Sequence, residues 1–321
     1  MSTRENIAGM SIGGGRKENF FFCILEYYQE NGRWFLSSLH QVKDEDSVDS
    51  DEAIAQWIKK YSLKGLIVDV PLSRPVCDSC QLECPGTKNC HQSDVVAIKK
   101  QMASLLLEDS KLIAKNPKAY EEARVEDNLV HYSRDIYSKA PDKSLLSKSF
   151  KRKLKKGFIP YWNRPLDFWI WKNYYDYLLN LFNISYDSFN NVSTMLLSKF
   201  KYLLRHLPKD LTMFESQSHI CLIELHRAGI ITTKHILNLN DLDQCVLARL
   251  DIIRAIEKKC EVFIYDHDLE LIVKNPKAFD SFLLALVGKQ FLEKSQRKIN
   301  NWALPNEARF IVPNFLDQEN K

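Results

Sequence analysis

The chain has few glycines and prolines and no long apolar run. Its 321 residues include 10 Gly and 11 Pro, a composition that excludes a fibrous or broadly disordered protein. The longest clean apolar stretches, such as residues 282–287, fall far short of the roughly 20 residues that a membrane helix needs. The N-terminus lacks a basic stretch followed by an apolar one, so no secretory signal is predicted. We therefore expect a cytoplasmic globular protein with no membrane partner.

Positive charge is concentrated in one segment. The net charge is only +4, but residues 143–175 contain nine Lys or Arg and a single acid, Asp167, which leaves −4 for the rest of the chain. An aromatic-rich stretch at 161–178 follows the densest part. Cations attract phosphates and flat rings stack on bases, so the segment predicts nucleic-acid binding. The predicted backbone contacts are Lys151, Arg152, Lys153, Lys155 and Lys156. The alternative is a solvated basic loop followed by a helix whose aromatic residues are buried.

The hydrophobic pattern predicts an α/β chain with a long interruption. Strands are predicted at 7–11, 19–27, 33–40 and 65–70, with a helix at 51–61 before the last of them. A short strand at 211–215 precedes helices at 218–227, 241–259, 268–273 and 276–293, and a final edge strand is predicted at 309–312. Segment 260–265 is either a strand or a helix continuation. The predicted organisation is a core half at 1–75, an insertion at 76–207 and a second core half at 208–321.

Three carboxylates are predicted where these elements end or begin. Asp69 lies near the end of the buried fourth strand, Glu215 ends the strand after the insertion, and Asp280 lies near the start of an apolar helix. A carboxylate in a buried apolar strand is costly unless a charge or hydrogen bond compensates it. Hard Mg²⁺ or Mn²⁺ prefers such oxygen ligands. Two local alternatives stay open: Asp69 pairs with Arg74 or caps a loop, and Asp280 only stabilises a helix N-terminus.

Five short segments, taken in order, carry a resemblance to a known family. They are IAGMSIGGG at 7–15, IVDVPLSRP at 67–75, FES at 214–216, FDSFLLALVG at 279–288 and EARFIVP at 307–313. Together with three strands, a helix and a fourth strand, they resemble the ribonuclease-H-like fold. More narrowly, they resemble the family called domain of unknown function 429, described as predicted ribonuclease-H-like or RuvC-like nucleases. The implied architecture is a mixed sheet flanked by helices, with a large helical insertion and a Cys-rich knuckle.

The resemblance implies a metal-dependent nuclease that hydrolyses phosphodiester bonds. Asp69, Glu215 and Asp280 fall on acidic positions of the family, where they would bind Mg²⁺ or Mn²⁺. Ser11 stands where the family has a first-strand Asp that is central to binding both metals, and a neutral hydroxyl cannot supply that charge. Gln217 also departs from a Pro that is common near the strand-end Glu. These two departures predict an impaired or inactive catalytic site.

Four of the eight cysteines fall within 14 residues. Cys77, Cys80, Cys84 and Cys90 have the spacing C-x2-C-x3-C-x5-C and are followed by His91. In a cytosolic chain such clustering favours a metal over disulfides, and C-x2-C is half of a common tetrahedral zinc site. Zn²⁺ is therefore the predicted ion. An iron–sulfur cluster is the next interpretation, and disulfides or free thiols remain open.

Three hypotheses of function follow from these patterns. The first is a metal-dependent nuclease that uses Asp69, Glu215 and Asp280. The second is a catalytically inactive descendant that binds nucleic acid or a partner protein, which Ser11 motivates. The third is a structural or regulatory protein whose Cys cluster senses metal or redox state. A helix downstream of Glu215 offers weaker candidates for a catalytic role, namely His219, His226, Glu224 and Arg227.

Overall fold

The computed structural model describes residues 5–12, 20–42, 49–122, 151, 154–157, 159–184, 194–304 and 309–316. Within these ranges the chain is an α/β structure in which six strands form one mixed sheet flanked by helices. The strands are β1 (Glu5–Ser11), β2 (Phe20–Tyr28), β3 (Arg33–Val42), β4 (Gly65–Val68), β5 (Met213–Glu215) and β6 (Val262–Phe263). Their order across the sheet is β5-β4-β1-β2-β3-β6.

Strand β1 lies inside the sheet, between an antiparallel and a parallel neighbour. On one side β1, β2 and β3 pair antiparallel in sequence order, and β6 adds to β3 in parallel. On the other side β4 runs parallel to β1, and β5 runs parallel to β4. Segment 260–265 thus contains a short strand. The predicted edge strand at 309–312 appears only as a bridge between Phe310 and Glu215.

The predicted C-terminal helices are present with small shifts at their ends. None of the helices in the described residues is long and apolar enough to span a membrane. The helices are α1 (Ser50–Lys60), α2 (Val76–Ser79), α3 (Gly86–Asn89), α4 (Ser93–Lys115), α5 (Ile159–Trp162), α6 (Pro165–Phe182), α7 (Thr194–Leu203), α8 (Ser218–Arg227), α9 (Thr233–Asn238), α10 (Cys245–Cys260), α11 (Asp266–Lys274) and α12 (Pro276–Leu292).

The contact between α12 and β1 is a backbone-to-backbone packing that depends on a glycine. A Cβ atom added at Gly9 would come within 2.2 Å of the Ala285 nitrogen and 2.3 Å of the Ser281 oxygen. Only a residue without a side chain allows this approach. The start of α12 is fixed by Asn275, whose side chain accepts hydrogen bonds from the next turn, and Pro276 occupies the first helical position. The glycine and the cap together fix where the first turn of α12 lies.

The chain divides into two compact units. The first comprises Met1–Leu72, Asn191–Lys298 and Arg309–Lys321, and the second comprises Ser73–Asn190 and Ile299–Ala308. The first unit contains the sheet. Helix α7 falls within the predicted insertion, yet it packs into the first unit's core through Phe200 and Leu203.

The second unit has its own apolar core. Side chains of α4 and α6, among them Met102, Phe168 and Trp171, are buried together there. Helix α6 contains most of the aromatic residues that follow the basic run, and Trp169 and Tyr174 are buried as well. The structure therefore favours the core interpretation for the α6 rings, whereas Trp162 on α5 is 74% exposed.

Candidate active site

Parallel pairing places Ser11 and Asp69 side by side. Because Met10 and Val68 are register partners in β1 and β4, the residue after each lies at the same edge of the sheet. Asp69 Oδ2 accepts a hydrogen bond from Ser11 Oγ at 2.7 Å, and Asp69 Oδ1 accepts one from the Ile12 backbone N–H at 2.9 Å. Arg74 pairs instead with Asp78 at 2.8 Å, so the proposed Asp69–Arg74 pair is absent. Asp69 is therefore held by the end of the first strand, where the resemblance expects a second carboxylate.

The first turn of α12 brings Asp280 and an unpredicted lysine to the same place. Lys277 Nζ lies 3.1 Å from Asp280 Oδ2, and both side chains are mostly buried. Burial raises the pKa of Asp69 above its usual value, while the Ile12 and Ser11 hydrogen bonds and the Lys277 charge lower it and the Asp280 charge raises it. Burial alone would lower the pKa of Lys277, but Asp280 and Asp69 outweigh it and raise it. Asp69, Lys277 and Asp280 thus share one electrostatic environment.

Glu215 lies at the same edge, at the end of the neighbouring strand, but its carboxylate has a different kind of partner. It pairs in register with Val68, one residue before Asp69, and it is buried. Its Oε2 accepts a hydrogen bond from the Leu72 backbone N–H at 3.1 Å, so the carboxylate helps to hold the chain that leaves β4. Of the three predicted carboxylates, Asp69 and Asp280 therefore lie within electrostatic range of each other, and Glu215 lies at the adjoining strand end.

One of the weaker candidates on α8 belongs to this site. Burial lowers the pKa of His219, while Asp280 raises it and Lys277 lowers it, so the imidazole lies within range of both charges. The other candidates on α8 have structural partners. Glu224 forms ion pairs with Arg227 at 3.2 Å and with Arg297 at 2.5 Å. The site on the described residues is therefore made of Ser11, Asp69, His219, Lys277 and Asp280, with Glu215 beside them.

The residues of this site suit a divalent cation in their donor types but not in their arrangement. The donor set suits Mg²⁺ or Mn²⁺, because two carboxylates on separate elements lie within electrostatic range of each other. The arrangement does not, because no group of three or more His, Cys, Asp or Glu side chains in the described ranges is placed to hold a metal ion. In the structure, the Lys277 ammonium group supplies the positive charge next to Asp280 and Asp69. A metal bound by Asp280 would therefore compete with the Lys277 ammonium group.

A local sequence signal points to Lys277, which the predicted site does not include. Lys277 and Asp280 are three residues apart after an Asn-Pro helix start, which puts them on one face of the first turn. Their ion pair follows from that spacing. Their meeting with Asp69 does not, because it depends on the packing of α12 over β1.

The four clustered cysteines line one cavity in the second unit. The cavity has a volume of about 370 Å³, and its walls also include His91 and Tyr161. All four thiols are free, with Cys80 and Cys84 exposed and the other two half-buried. Burial raises the pKa of Cys77, and the charges of Cys90, Cys80 and Cys84 raise it further. The structure therefore gathers the predicted cluster around one space. Of the remaining four cysteines, Cys23, Cys221 and Cys260 are buried.

The basic segment has two kinds of lysine. Lys151 forms an ion pair with the buried carboxylate of Asp109 and hydrogen-bonds the Tyr120 hydroxyl at 2.7 Å, so it is engaged inside the second unit. Lys155 and Lys156 are exposed. Arg152 and Lys153 lie outside the described residues. Two of the five predicted phosphate contacts thus have the exposure that such a role needs.

Comparisons with protein-family models, with curated proteins and with solved structures find no match to this chain. Its function must therefore be inferred from its own geometry and from the resemblance carried by its short segments.

Proposed function

We propose that this chain is a metal-dependent nuclease with a ribonuclease-H-like core, similar to the domain of unknown function 429 family, that hydrolyses phosphodiester bonds in nucleic acid. The observation that carries the proposal is that Asp69 and Asp280 lie within electrostatic range of each other at one edge of the sheet. These residues come from a central strand and from a late helix. Carboxylates close enough for one to raise the pKa of the other are uncommon in a fold unless a cation or a proton compensates them, and Lys277 supplies one such charge here.

The sheet topology supports the same proposal. The resemblance rests on three strands, a helix and a fourth strand. The chain places these with β1 between β2 and β4, so that the parallel strands β1, β4 and β5 end at the same edge. In sheets of this kind, ligands bind outside the carboxyl ends of the strands. Ser11, Asp69 and Glu215 lie at or next to these ends.

When bound, Mg²⁺ or Mn²⁺ would be held by Asp69 and Asp280, with Glu215 at its side, and would stabilise the attacking and leaving oxygens of an in-line displacement. The chain's own groups prepare that position. Ser11 and the Ile12 N–H fix the Asp69 carboxylate through two hydrogen bonds. Lys277 is paired with Asp280, so a bound ion would compete with its ammonium group for that carboxylate.

A second candidate function is favoured by the substitutions in the same site. Ser11 contributes a hydroxyl where the family has a carboxylate, and Lys277 is already paired with Asp280. Both features lower the negative charge that would attract a divalent ion. The alternative is therefore a catalytically inactive member of the same fold that binds nucleic acid or a partner protein, with Lys155 and Lys156 as exposed phosphate contacts.

The test is a cleavage assay on single- and double-stranded DNA and RNA with Mn²⁺. We expect cleavage by the wild-type protein and a loss of at least about 100-fold when Asp69→Asn and Asp280→Asn are combined, the scale on which transition-state-stabilising groups act. The matched control is Asp243→Asn, an exposed carboxylate in the same unit, which should cleave normally. Equal rates in the wild type and the double variant would refute the catalytic assignment.

The same samples separate the two candidates. Nucleic-acid binding at low salt without cleavage, together with Mn²⁺-dependent cleavage in a Ser11→Asp variant, would support the inactive member over the nuclease. If the wild type neither binds nor cleaves nucleic acid, the nuclease and the nucleic-acid-binding member are both refuted.

A further inference from the structure

The segment around the four clustered cysteines is an ordered part of the chain without a hydrophobic anchor. From residue 73 to residue 94, all of which the structure describes, no side chain is buried. Helices α2 and α3 lie in this segment, have four residues each and contribute no buried residue. Helices this short are not stable by themselves in water. The segment therefore needs another source of order.

Polar contacts supply only a small part of that order. Arg164 donates to the Ser73 carbonyl at 3.4 Å and to the Ser73 hydroxyl at 3.3 Å, and Lys99 donates to the Lys88 carbonyl. The ion pair between Arg74 and Asp78 has both side chains more than 40% exposed, and exposed pairs of this kind contribute little. The Ser79 hydroxyl meets the Val76 carbonyl at only 3.5 Å and is exposed. Small folded pieces that bury little apolar surface are usually held by disulfides or by a metal.

The cysteines are positioned by the turns of this segment. Cys77 lies in α2 and Cys80 follows its last residue, with extended backbone that turns the chain away. Cys84 precedes Pro85, where α3 begins, and Cys90 follows the last residue of α3 in the same extended conformation. Two short helical turns, each bounded by thiols, thus face one cavity of about 370 Å³.

We propose that Cys77, Cys80, Cys84 and Cys90 bind one Zn²⁺ ion through their four thiolates, and that this ion holds the segment from residue 73 to residue 94 in place. Four thiolates complete the tetrahedral shell that zinc prefers. No three of these sulfur atoms stand in ligating positions at present, so binding must draw them together. The segment is able to follow, because none of its side chains is locked in a core.

Zinc suits this site better than the other interpretations of the cluster. Cys80 and Cys84 are exposed, which would leave an iron–sulfur cluster open to solvent and oxidation, whereas zinc has no redox chemistry. Disulfides would close the same turns, but all four thiols are free in the structure. Zinc binding needs no oxidant, because the thiols only release their protons to the solvent as the ion binds.

The experiment measures metal content and local order in the full-length chain. Protein purified without added metal under reducing conditions is analysed for zinc and iron, and we expect one zinc ion per chain. Cys80→Ser and Cys84→Ser together should remove the zinc, and because both side chains are exposed the rest of the fold should survive. Cys245→Ser, a half-buried cysteine of the first unit, is the matched control and should retain zinc.

Limited trypsin digestion provides the second measurement. Removal of zinc by a chelator should speed cleavage after Lys88 at least about tenfold, since local opening governs such cleavage. Cleavage in the first unit should not change, and re-added Zn²⁺ should restore protection. Iron in place of zinc, zinc retained by the double variant, or unchanged cleavage after chelation would each overturn the proposal.

Discussion

The carboxylate region of the first unit and the cysteine segment of the second unit are built in opposite ways. The carboxylate region of the first unit lies on buried strands and on a helix packed backbone to backbone against them, so its side chains are positioned by the core. The cysteine segment of the second unit has no buried side chain from residue 73 to residue 94. A rigid scaffold can hold charged groups close together at a cost in stability, whereas a segment without a core must gain its order from what it binds. We therefore expect core changes to disable the first region and ligand changes to disable the second.

The largest effect is expected from the glycine that lets α12 approach β1. Gly9→Ala places a methyl group within 2.3 Å of backbone atoms of α12, which cannot move without lifting the helix. We expect a loss of about 4 kcal/mol in the free energy of unfolding, measured by urea denaturation. Gly32→Ala is the control: its φ of 60° strains an alanine, but no atom lies nearby, so about 1 kcal/mol is expected. Equal losses in the two variants would contradict the close-packing argument.

A buried ion pair tests whether the second unit has a core that is independent of its cysteine segment. Asp109→Asn leaves the Lys151 ammonium without its carboxylate partner, and we expect a loss of about 3 kcal/mol. Glu108→Gln, the exposed neighbour on α4, should change stability by less than about 0.5 kcal/mol. Thermal unfolding in the presence of a chelator makes the measurement. An Asp109→Asn variant with unchanged stability would show that this pair does not stabilise the unit.

We expect the Lys277 ammonium group to be the main obstacle to metal binding at Asp69 and Asp280. Lys277→Met removes the ammonium group next to Asp280 and keeps the length of the side chain. We expect Mn²⁺ affinity to rise about tenfold by calorimetric titration, which corresponds to about 1.4 kcal/mol. Lys274→Met removes an exposed lysine of α11 as the control and should leave the affinity unchanged. Weaker Mn²⁺ binding by the Lys277 variant would mean that the lysine supports the ion rather than competes with it.

The smallest expected effect is a pH dependence of stability at Asp69. Because burial raises the pKa of this carboxyl in the folded state, the folded protein holds the proton more tightly than the unfolded chain does. The resulting stabilisation is complete below the ordinary value of 3.8 and is lost as pH rises through the raised pKa. In metal-free buffer, the wild type should therefore lose stability relative to Asp69→Asn as pH increases from about 4 to neutral. Parallel pH profiles for the two proteins would show that burial does not destabilise the ionised Asp69.

Much of the scaffold follows from local patterns. Alternating and continuous apolar runs predicted four N-terminal strands and their intervening helix near their observed bounds, and Asn275 with Pro276 marks the start of α12. The pattern was ambiguous at 260–265, where two strand residues follow a helix directly. It also placed α7 in the insertion, because nothing local shows that Phe200 and Leu203 pack in the first unit.

The sequence by itself determined the candidate residues: the strand-end and helix-start acids Asp69, Glu215 and Asp280, and the four closely spaced cysteines. Tertiary structure decided which of them meet. Asp69 and Asp280 come within electrostatic range because parallel pairing and the Gly9 contact bring distant segments together, and the same packing places Lys277 near both. Glu215 is turned to the Leu72 backbone by the same assembly. Spacing along the chain fixes only neighbours within a turn or a strand, whereas the distances between charges on separate elements are set by how those elements pack.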